Sequence, residues 1–138
     1  MKKTIQLCCL LLIALLSSCA TKQISLDKTV WFNASPSENN GQEGTLVTSL
    51  YFTSSEQVDI YNSVIVDTTI IIEPFLYATG KYETEQGDKV NTISINAKSI
   101  DKNKRYITYT GYYKKDDLFL INDSICIPYL KISSVKRH

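Results

Sequence analysis

The chain has 138 residues, of which 15 are lysine or arginine and 14 are aspartate or glutamate, so its formal net charge is +1. This length fits one domain with a single hydrophobic core. The near-neutral balance argues against a nucleic-acid-binding protein, because such proteins carry a strong basic excess.

The first 18 residues have the pattern of a secretory leader. Lys2 and Lys3 precede ten consecutive apolar residues, 7–16, and two serines follow them. At 1.5 Å per residue, ten helical residues span roughly 15 Å, about half of a bilayer core. We therefore expect residues 1–18 to be a signal peptide that is removed, rather than a permanent transmembrane helix.

The end of this leader, Leu16-Ser17-Ser18-Cys19, resembles the lipobox of bacterial lipoproteins. The resemblance implies cleavage before Cys19, a diacylglycerol on its sulfur and a fatty acid such as palmitate on its freed amine. Two or more acyl chains anchor a protein stably, at about 0.8 kcal/mol per buried methylene. Ala20 stands where inner-membrane lipoproteins of enteric bacteria have aspartate, which implies an outer-membrane anchor facing the periplasm. The alternative is an ordinary signal peptide that is cut beyond a chance cysteine.

Cleavage before Cys19 leaves a mature chain of 120 residues, with 13 basic and 14 acidic side chains and a net charge of −1. Cys126 is then the only other cysteine, so no internal disulfide can form without the anchor residue. Residues 19–28 are polar and lack aromatic side chains, and we expect them to form a lipidated tether. We expect residues 29–138 to form the single folded domain.

Composition and alternation predict β-strands through this domain. In the mature chain Val, Ile and Thr together number 33 against seven Leu, a composition typical of strands. Residues 45–53 show the alternation clearly, because Leu46, Leu50 and Phe52 share one face. In chain order, the predicted strands are 29–33, 45–53, 58–66, 68–72, 75–84, 90–97, 105–114, 118–121 and 124–132.

Turn-forming residues separate these predicted strands. Segments 35–41 and 73–74, both with proline, predict breaks, and a turn or bulge is expected near Asn62-Ser63. Gly80 and Gly111 lie inside strand patterns, where a bulge or sharp bend is the usual cause. Short connections favour antiparallel pairing of consecutive strands. We therefore predict an all-β fold, a small antiparallel up-and-down barrel of about eight strands, with a two-sheet β-sandwich as the alternative.

Trp31 on the first strand, the alternating meander after it and Tyr-Ala-Thr-Gly-Lys-Tyr at 77–82 resemble the lipocalin and avidin-like barrels. Thr29 stands where the lipocalin motif has glycine, two residues before the tryptophan. The resemblance implies the barrel architecture and carries over no ligand contact beyond Trp31. An eight-stranded barrel has an interior that is either filled by side chains or just able to hold one small ligand, and the first hypothesis is that its interior or mouth holds a small apolar or amphipathic molecule. The residues predicted to line that site are aromatic: Trp31, Phe52, Phe75, Tyr77 and Tyr109.

Patterns for catalysis and metal binding are weak in this sequence. The one histidine is the last residue, His138, so a histidine-based triad or zinc site is hard to build. Cys126 lies between two isoleucines and is expected to be a buried small hydrophobe. Glu83 and Glu85 share one strand face, which predicts a solvated outer surface rather than an acid–base pair. Residues 101–103 resemble part of a calcium loop but lack its glycine and glutamate. We expect no enzyme activity, no cofactor and no metal site.

Two functional hypotheses follow from the sequence, with a structural envelope protein as a third class. The first is the lipid-anchored barrel that binds a small ligand. The second is a protein-interaction or inhibitor module, because residues 79–82 resemble a strand segment of periplasmic lipoproteins that inhibit lysozyme. Those proteins often carry a disulfide that this chain lacks. The nine tyrosines suit either hypothesis, since each combines an apolar ring with a hydrogen-bonding tip; plain packing in a sheet is the alternative.

Overall fold

The computed structural model describes residues 24–132, so the predicted signal peptide, Cys19 and His138 lie outside the described residues. Eight antiparallel strands follow one another around a closed barrel, which confirms the predicted up-and-down topology and rules out the sandwich. The strands are β1 Thr29–Asn39, β2 Gln42–Phe52, β3 Gln57–Val66, β4 Thr69–Glu85, β5 Asn91–Ser99, β6 Tyr106–Tyr113, β7 Asp117–Asn122 and β8 Ile125–Lys131. The described part of the chain contains no α-helix, and thus no helix able to cross a membrane.

The strands alternate between a buried inner face and an exposed outer face. On β2 and β3 the inner face carries Leu50, Phe52, Val58 and Ile60, all at most 1% exposed. Burying each such side chain contributes about 1.5–3 kcal/mol, which favours closing the sheet on itself. The largest fully buried side chains are Trp31, Phe52, Leu50, Ile60, Ile95, Leu118, Leu120 and Val58.

The connections divide between two ends of the barrel because the strands alternate in direction. The lower end, where β1 begins, carries the loops 53–56, 86–90 and 114–116. The upper end carries the loop 100–105 and three two-residue turns at 40–41, 67–68 and 123–124. Both residues of each of these turns have positive φ, as in type I′ hairpins, whose twist matches that of the strands.

The segment before β1 covers the lower end. Leu26 is 2% exposed and belongs to the core cluster. The Lys28 amide donates to the Phe52 carbonyl at 2.7 Å, and the Tyr113 hydroxyl donates to the Ile24 carbonyl at 3.2 Å. Residues 24–28, the last part of the predicted tether, therefore lie against the barrel.

The prediction of a turn over 35–41 is wrong, because β1 continues to Asn39 and only Asn40 and Gly41 turn. Every residue of β1 is paired with β2, including Pro36, which is opposite Thr45. Pro36 is tolerated because it lies on the edge of β1 that has no partner at that point.

The barrel closes through a short seam between β1 and β8. Only Trp31 and Phe32 of β1 are paired with β8. The Ile132 amide donates to the Val30 carbonyl, so even-numbered residues of both strands turn their backbone groups toward the seam. Pro36 and Pro128 share this parity and lack the amide that further pairing would need. The Asn33 side-chain amide donates to the Pro128 carbonyl at 2.9 Å and satisfies that free acceptor.

The predicted break at 73–74 is also wrong, because β4 runs without interruption past Pro74. Register shifts between β3 and β4 absorb the extra residues, and they include the region of Asn62 where a bulge was expected. A bulge tolerates proline because its amide needs no ladder partner. No register shift occurs at Gly80 or Gly111. A Cβ at Gly80 would clash with the backbone of β5, and one at Gly111 with that of β7, so close strand approach requires both glycines.

Candidate functional site

Two of the five residues predicted to line a ligand site lie in the filled lower half of the barrel. Trp31 and Phe52 are each 1% exposed. The Trp31 indole donates to the Thr29 hydroxyl at 2.9 Å, and the Phe52 ring packs edge-on against Tyr82 at 4.8 Å. These contacts with the protein occupy both aromatic side chains.

The other three predicted lining residues lie higher in the barrel. Phe75 is opposite Asn62 on β3 and is 46% exposed. Tyr77 and Tyr109 are half-buried and pack against the core. Tyr77 is the extra residue at a β3–β4 register shift, and its carbonyl accepts the Ile100 amide at 3.0 Å.

Tyr77, Tyr109 and the buried Tyr129 form what we call the tyrosine cluster. Burial raises the pKa of Tyr109 above its ordinary value, and the neighbouring Tyr77 raises it further. Burial also raises the pKa of Tyr129, and Tyr109 adds to that effect. Tyr109 and Tyr129 therefore stay protonated at neutral pH, and the cluster places phenol groups against the barrel core.

A second candidate site lies on the outside of the barrel, where two rows of outward side chains cross four strands. In strand order from β4 to β7, the first row is Glu83, Ser94, Thr110 and Ile121. The second row is Glu85, Thr92, Tyr112 and Phe119. With neighbouring strands about 4.8 Å apart, each row is roughly 14 Å long. We call these two rows, together with Ser55 and Glu56, the outer-wall groove.

All residues of the outer-wall groove except Phe119 border an open concavity of about 910 Å³. The loop 53–56 forms one wall, because the Tyr82 amide on β4 donates to the Glu56 carbonyl at 2.9 Å. The Ser54 hydroxyl accepts from the amides of Glu56 and Gln57 and holds the loop in shape. Glu56, Glu83 and Glu85 place three carboxylates along this side, and none of the described lining residues is a lysine or arginine.

The opposite side of the groove is apolar. Tyr112 and Phe119 stack with their ring centroids 5.0 Å apart, and Ile121 lies in the adjoining row. On β8, Pro128 is opposite Phe119, while the exposed Leu130 is opposite Asp117 and lies outside the two rows. Cys126 is exposed opposite Ile121, so the prediction that it is buried is wrong. The reason is its parity on β8, whose inward positions are taken by Ile127 and Tyr129.

Sequence reasoning predicted the outward position of two groove residues but did not predict a groove. Glu83 and Glu85 are exposed on one face, as predicted from their spacing. The partners Thr92 and Thr110 were missed, because cross-strand register is invisible in a single sequence. Alternation within β5 and β6 could have shown that these threonines face outward, but not which residues they adjoin.

The fragment at 101–103 that resembles a calcium loop has a structural role. Asp101 accepts hydrogen bonds from the Ser99 hydroxyl at 2.6 Å and from the Lys104 amide, and it pairs with Arg105 at 3.3 Å. The Ser99 hydrogen bond and Arg105 hold the pKa of Asp101 below its ordinary value. Within residues 24–132, no group of three or more His, Cys, Asp or Glu side chains could hold a metal ion.

Comparisons of this chain with protein-family models, with curated proteins and with solved structures find no match.

Proposed function

We propose that this chain is a non-catalytic, lipid-anchored envelope protein whose barrel binds another envelope protein through its outer wall. The observation that carries this proposal is the contrast between a filled lower interior and the outer-wall groove. Eight large side chains are almost completely buried inside the barrel, whereas Tyr112 and Ile121 are more than a third exposed in the groove. Tyrosine is enriched among the residues that dominate protein-binding energy.

The anchor in this proposal is Cys19, acylated at the outer membrane and facing the periplasm. Its support is the Leu16-Ser17-Ser18-Cys19 motif. Since residues 24–28 lie against the lower end of the barrel, only residues 19–23 are left to span the gap to the lipid. Five residues reach at most about 18 Å, which keeps the lower end close to the membrane surface.

Mass spectrometry of the mature protein tests the anchor. We expect an N-terminus at Cys19 that carries the mass of a diacylglycerol and an amide-linked fatty acid. Cys19→Ser should leave the leader uncut and the protein unacylated. An unmodified mature N-terminus beyond residue 19 would contradict the lipoprotein assignment.

Photo-crosslinking in the native envelope tests the binding surface. A benzophenone amino acid at Thr110, in the centre of the groove, should yield an adduct with an envelope protein. The adduct should be lost when Tyr112→Ala is added, because the apolar wall is then removed. The control position is Lys102, which is exposed on the loop at the upper end. No adduct from Thr110, or the same adduct from Lys102, would contradict the proposal.

Inhibition of lysozyme is one version of this interaction function, supported by the resemblance at 79–82. Tyr82 is buried and its hydroxyl donates to the Ser54 carbonyl at 2.7 Å, so Lys81 is the exposed side chain of that segment. A lysozyme activity assay with the purified lipoprotein tests this version. Unchanged lysozyme activity at a molar excess of the lipoprotein would remove it.

The tyrosine cluster favours a second candidate function, binding of a small amphipathic ligand, as in lipocalin-like barrels. Tyr77 and Tyr109 are half-buried phenols near the upper end, with partly exposed Phe75 above them. Phenol groups can donate to a polar head while the rings contact an apolar tail. Native mass spectrometry should show a bound small molecule that is lost in Tyr109→Ala. Protein of unligated mass from every preparation would argue against this function.

A further inference from the structure

The outer-wall groove changes in chemical character from one side to the other. Glu83 and Glu85 stand at the β4 side, and hydroxyl groups of Thr92, Ser94 and Thr110 occupy the middle. The stacked rings of Tyr112 and Phe119 and the side chain of Ile121 form the far side. A molecule that fits this surface has positive charge at one end and apolar groups about 14 Å away, the span of three strand spacings.

The carboxylates of the groove lack cationic partners in the described structure. The one ion pair between described residues joins Arg105 to Asp101, near the upper end. Lys81, two residues before Glu83 on β4, is opposite Asn96 and lines an adjoining concavity that Glu56 also borders, but it forms no ion pair with a groove carboxylate in the described residues. Three like charges along one wall repel each other, and a bound cation relieves that repulsion.

The apolar side also suits a partner that carries a cation next to hydrophobic side chains. Tyr112 is 36% exposed and Ile121 is 38% exposed. Aliphatic side chains gain from covering these surfaces, and an ammonium or guanidinium group over the Tyr112 ring gains a cation–π contact. An anionic ligand finds no positive group among the described residues that line the groove.

We propose that the outer-wall groove binds a cationic polypeptide segment of its partner. Lysine or arginine side chains contact Glu56, Glu83 and Glu85, and apolar side chains of the segment contact Tyr112 and Ile121. The row length of roughly 14 Å matches about four residues of extended chain. This inference rests on the proposed interaction function and specifies the chemistry of the partner.

Fluorescence anisotropy with the full lipidated protein in non-ionic detergent tests the inference. The probe is a fluorescein-labelled nonapeptide of alternating lysine and leucine, and its matched control replaces every lysine with glutamate. We expect the lysine peptide alone to bind. Binding should weaken between about 50 and 300 mM salt, because partly exposed charges are screened over this range.

Paired variants locate the binding site. Glu83→Gln with Glu85→Gln should weaken binding of the lysine peptide about tenfold, and Tyr112→Ala should weaken it about fivefold. Glu38→Gln with Glu43→Gln is the matched control, since these exposed, paired glutamates on the β1–β2 hairpin change the net charge equally. The control should stay within about twofold of the parent protein, because it leaves the groove intact. Thermal unfolding by circular dichroism verifies that each variant folds.

Three outcomes overturn the inference. Equal weakening in the control pair would show attraction to net charge alone, and unchanged affinity in Glu83→Gln with Glu85→Gln would remove the carboxylates from the site. Binding of the neutral chitin tetrasaccharide that depends on Tyr112 but not on Glu83 would assign the groove to a glycan. If any one of these outcomes is observed and the Thr110 cross-link still forms, the proposed interaction function stands and only the inference of a cationic segment is wrong. If the Thr110 cross-link is also lost, both the interaction function and the inference of a cationic segment are wrong.

Discussion

At the scale of single residues, absence of a side chain matters as much as its presence. Gly111 faces the barrel interior between β5 and β7, opposite Ile93 on one side and Leu120 on the other. Any Cβ there would overlap the Phe119 carbonyl, which is backbone and cannot rotate away. The strand spacing on this side of the barrel therefore depends on one hydrogen atom in place of a methyl group.

We predict that Gly111→Ala destabilises the protein by about 3 kcal/mol, because the β6–β7 ladder must widen to admit the methyl group. Urea unfolding followed by Trp31 fluorescence measures the loss. Gly41→Asn is the control, since Gly41 has φ +77°, a value asparagine tolerates, and has open space around it. A loss in Gly111→Ala no larger than in this control would contradict the close-approach explanation.

The buried tyrosines predict a specific alkaline response. Burial raises the pKa of Tyr82 from 10.0 to about 12, and the pKa values of Tyr109 and Tyr129 are also raised. Above pH 10 the unfolded chain releases these protons while the folded state retains them, so stability falls as pH rises toward 12. The stabilisation is fully present below pH 10. Tyr129→Phe should make this fall shallower, and Tyr106→Phe, which removes an exposed tyrosine, is the control. Urea unfolding at stepped pH measures both slopes, and identical slopes would refute the assignment.

At the scale of elements, the β1–β2 hairpin shows how strand pairing combines favourable and unfavourable contacts. Its eleven residue pairs run without a register shift from Thr29 and Phe52 to Asn39 and Gln42. Near the tip, Glu38 is directly opposite Glu43, and like charges in that arrangement are destabilising. The type I′ turn at 40–41 keeps this register in spite of the repulsion.

We predict that Glu43→Lys stabilises the protein by about 0.5–1 kcal/mol, because it converts a repulsive cross-strand pair into an attractive one. The gain should shrink in high salt, since both side chains are exposed. Thermal unfolding at low and high ionic strength measures it. Glu73→Lys, which makes the same charge change on exposed β4, serves as the control, and an equal gain there would assign the effect to net charge.

At the scale of the whole molecule, closure of the barrel depends on the short β1–β8 seam and on the segment that covers the lower end. The β1–β8 seam has only two paired residues on each strand, with Asn33 bridging to Pro128 beyond them. The lower end is covered by the segment that precedes β1, through Leu26 and through hydrogen bonds of Lys28 and Tyr113. The same segment leads toward the proposed anchor, so the closed lower end is the end nearest the membrane in that proposal.

We predict that Leu26→Ala costs about 3 kcal/mol, because it opens a cavity in the core at the lower end. Ile132→Ala should cost much less, since that side chain is 43% exposed. Urea unfolding compares the two variants. A cost for Leu26→Ala as small as that for Ile132→Ala would show that the segment before β1 contributes little to closing the barrel.

The chain by itself determined the all-β class, the up-and-down order of the strands and most inward positions, because alternation and short turns are local properties. It also determined that Glu83 and Glu85 face outward. Tertiary structure decided where strands continue: Pro36 and Pro74 suit strands only because one lies at an open seam and the other at a register shift. It also decided that Tyr112 shares a groove with Glu83 and Glu85. Those residues are separated along the chain and meet through cross-strand register, which depends on the packing of all eight strands at once.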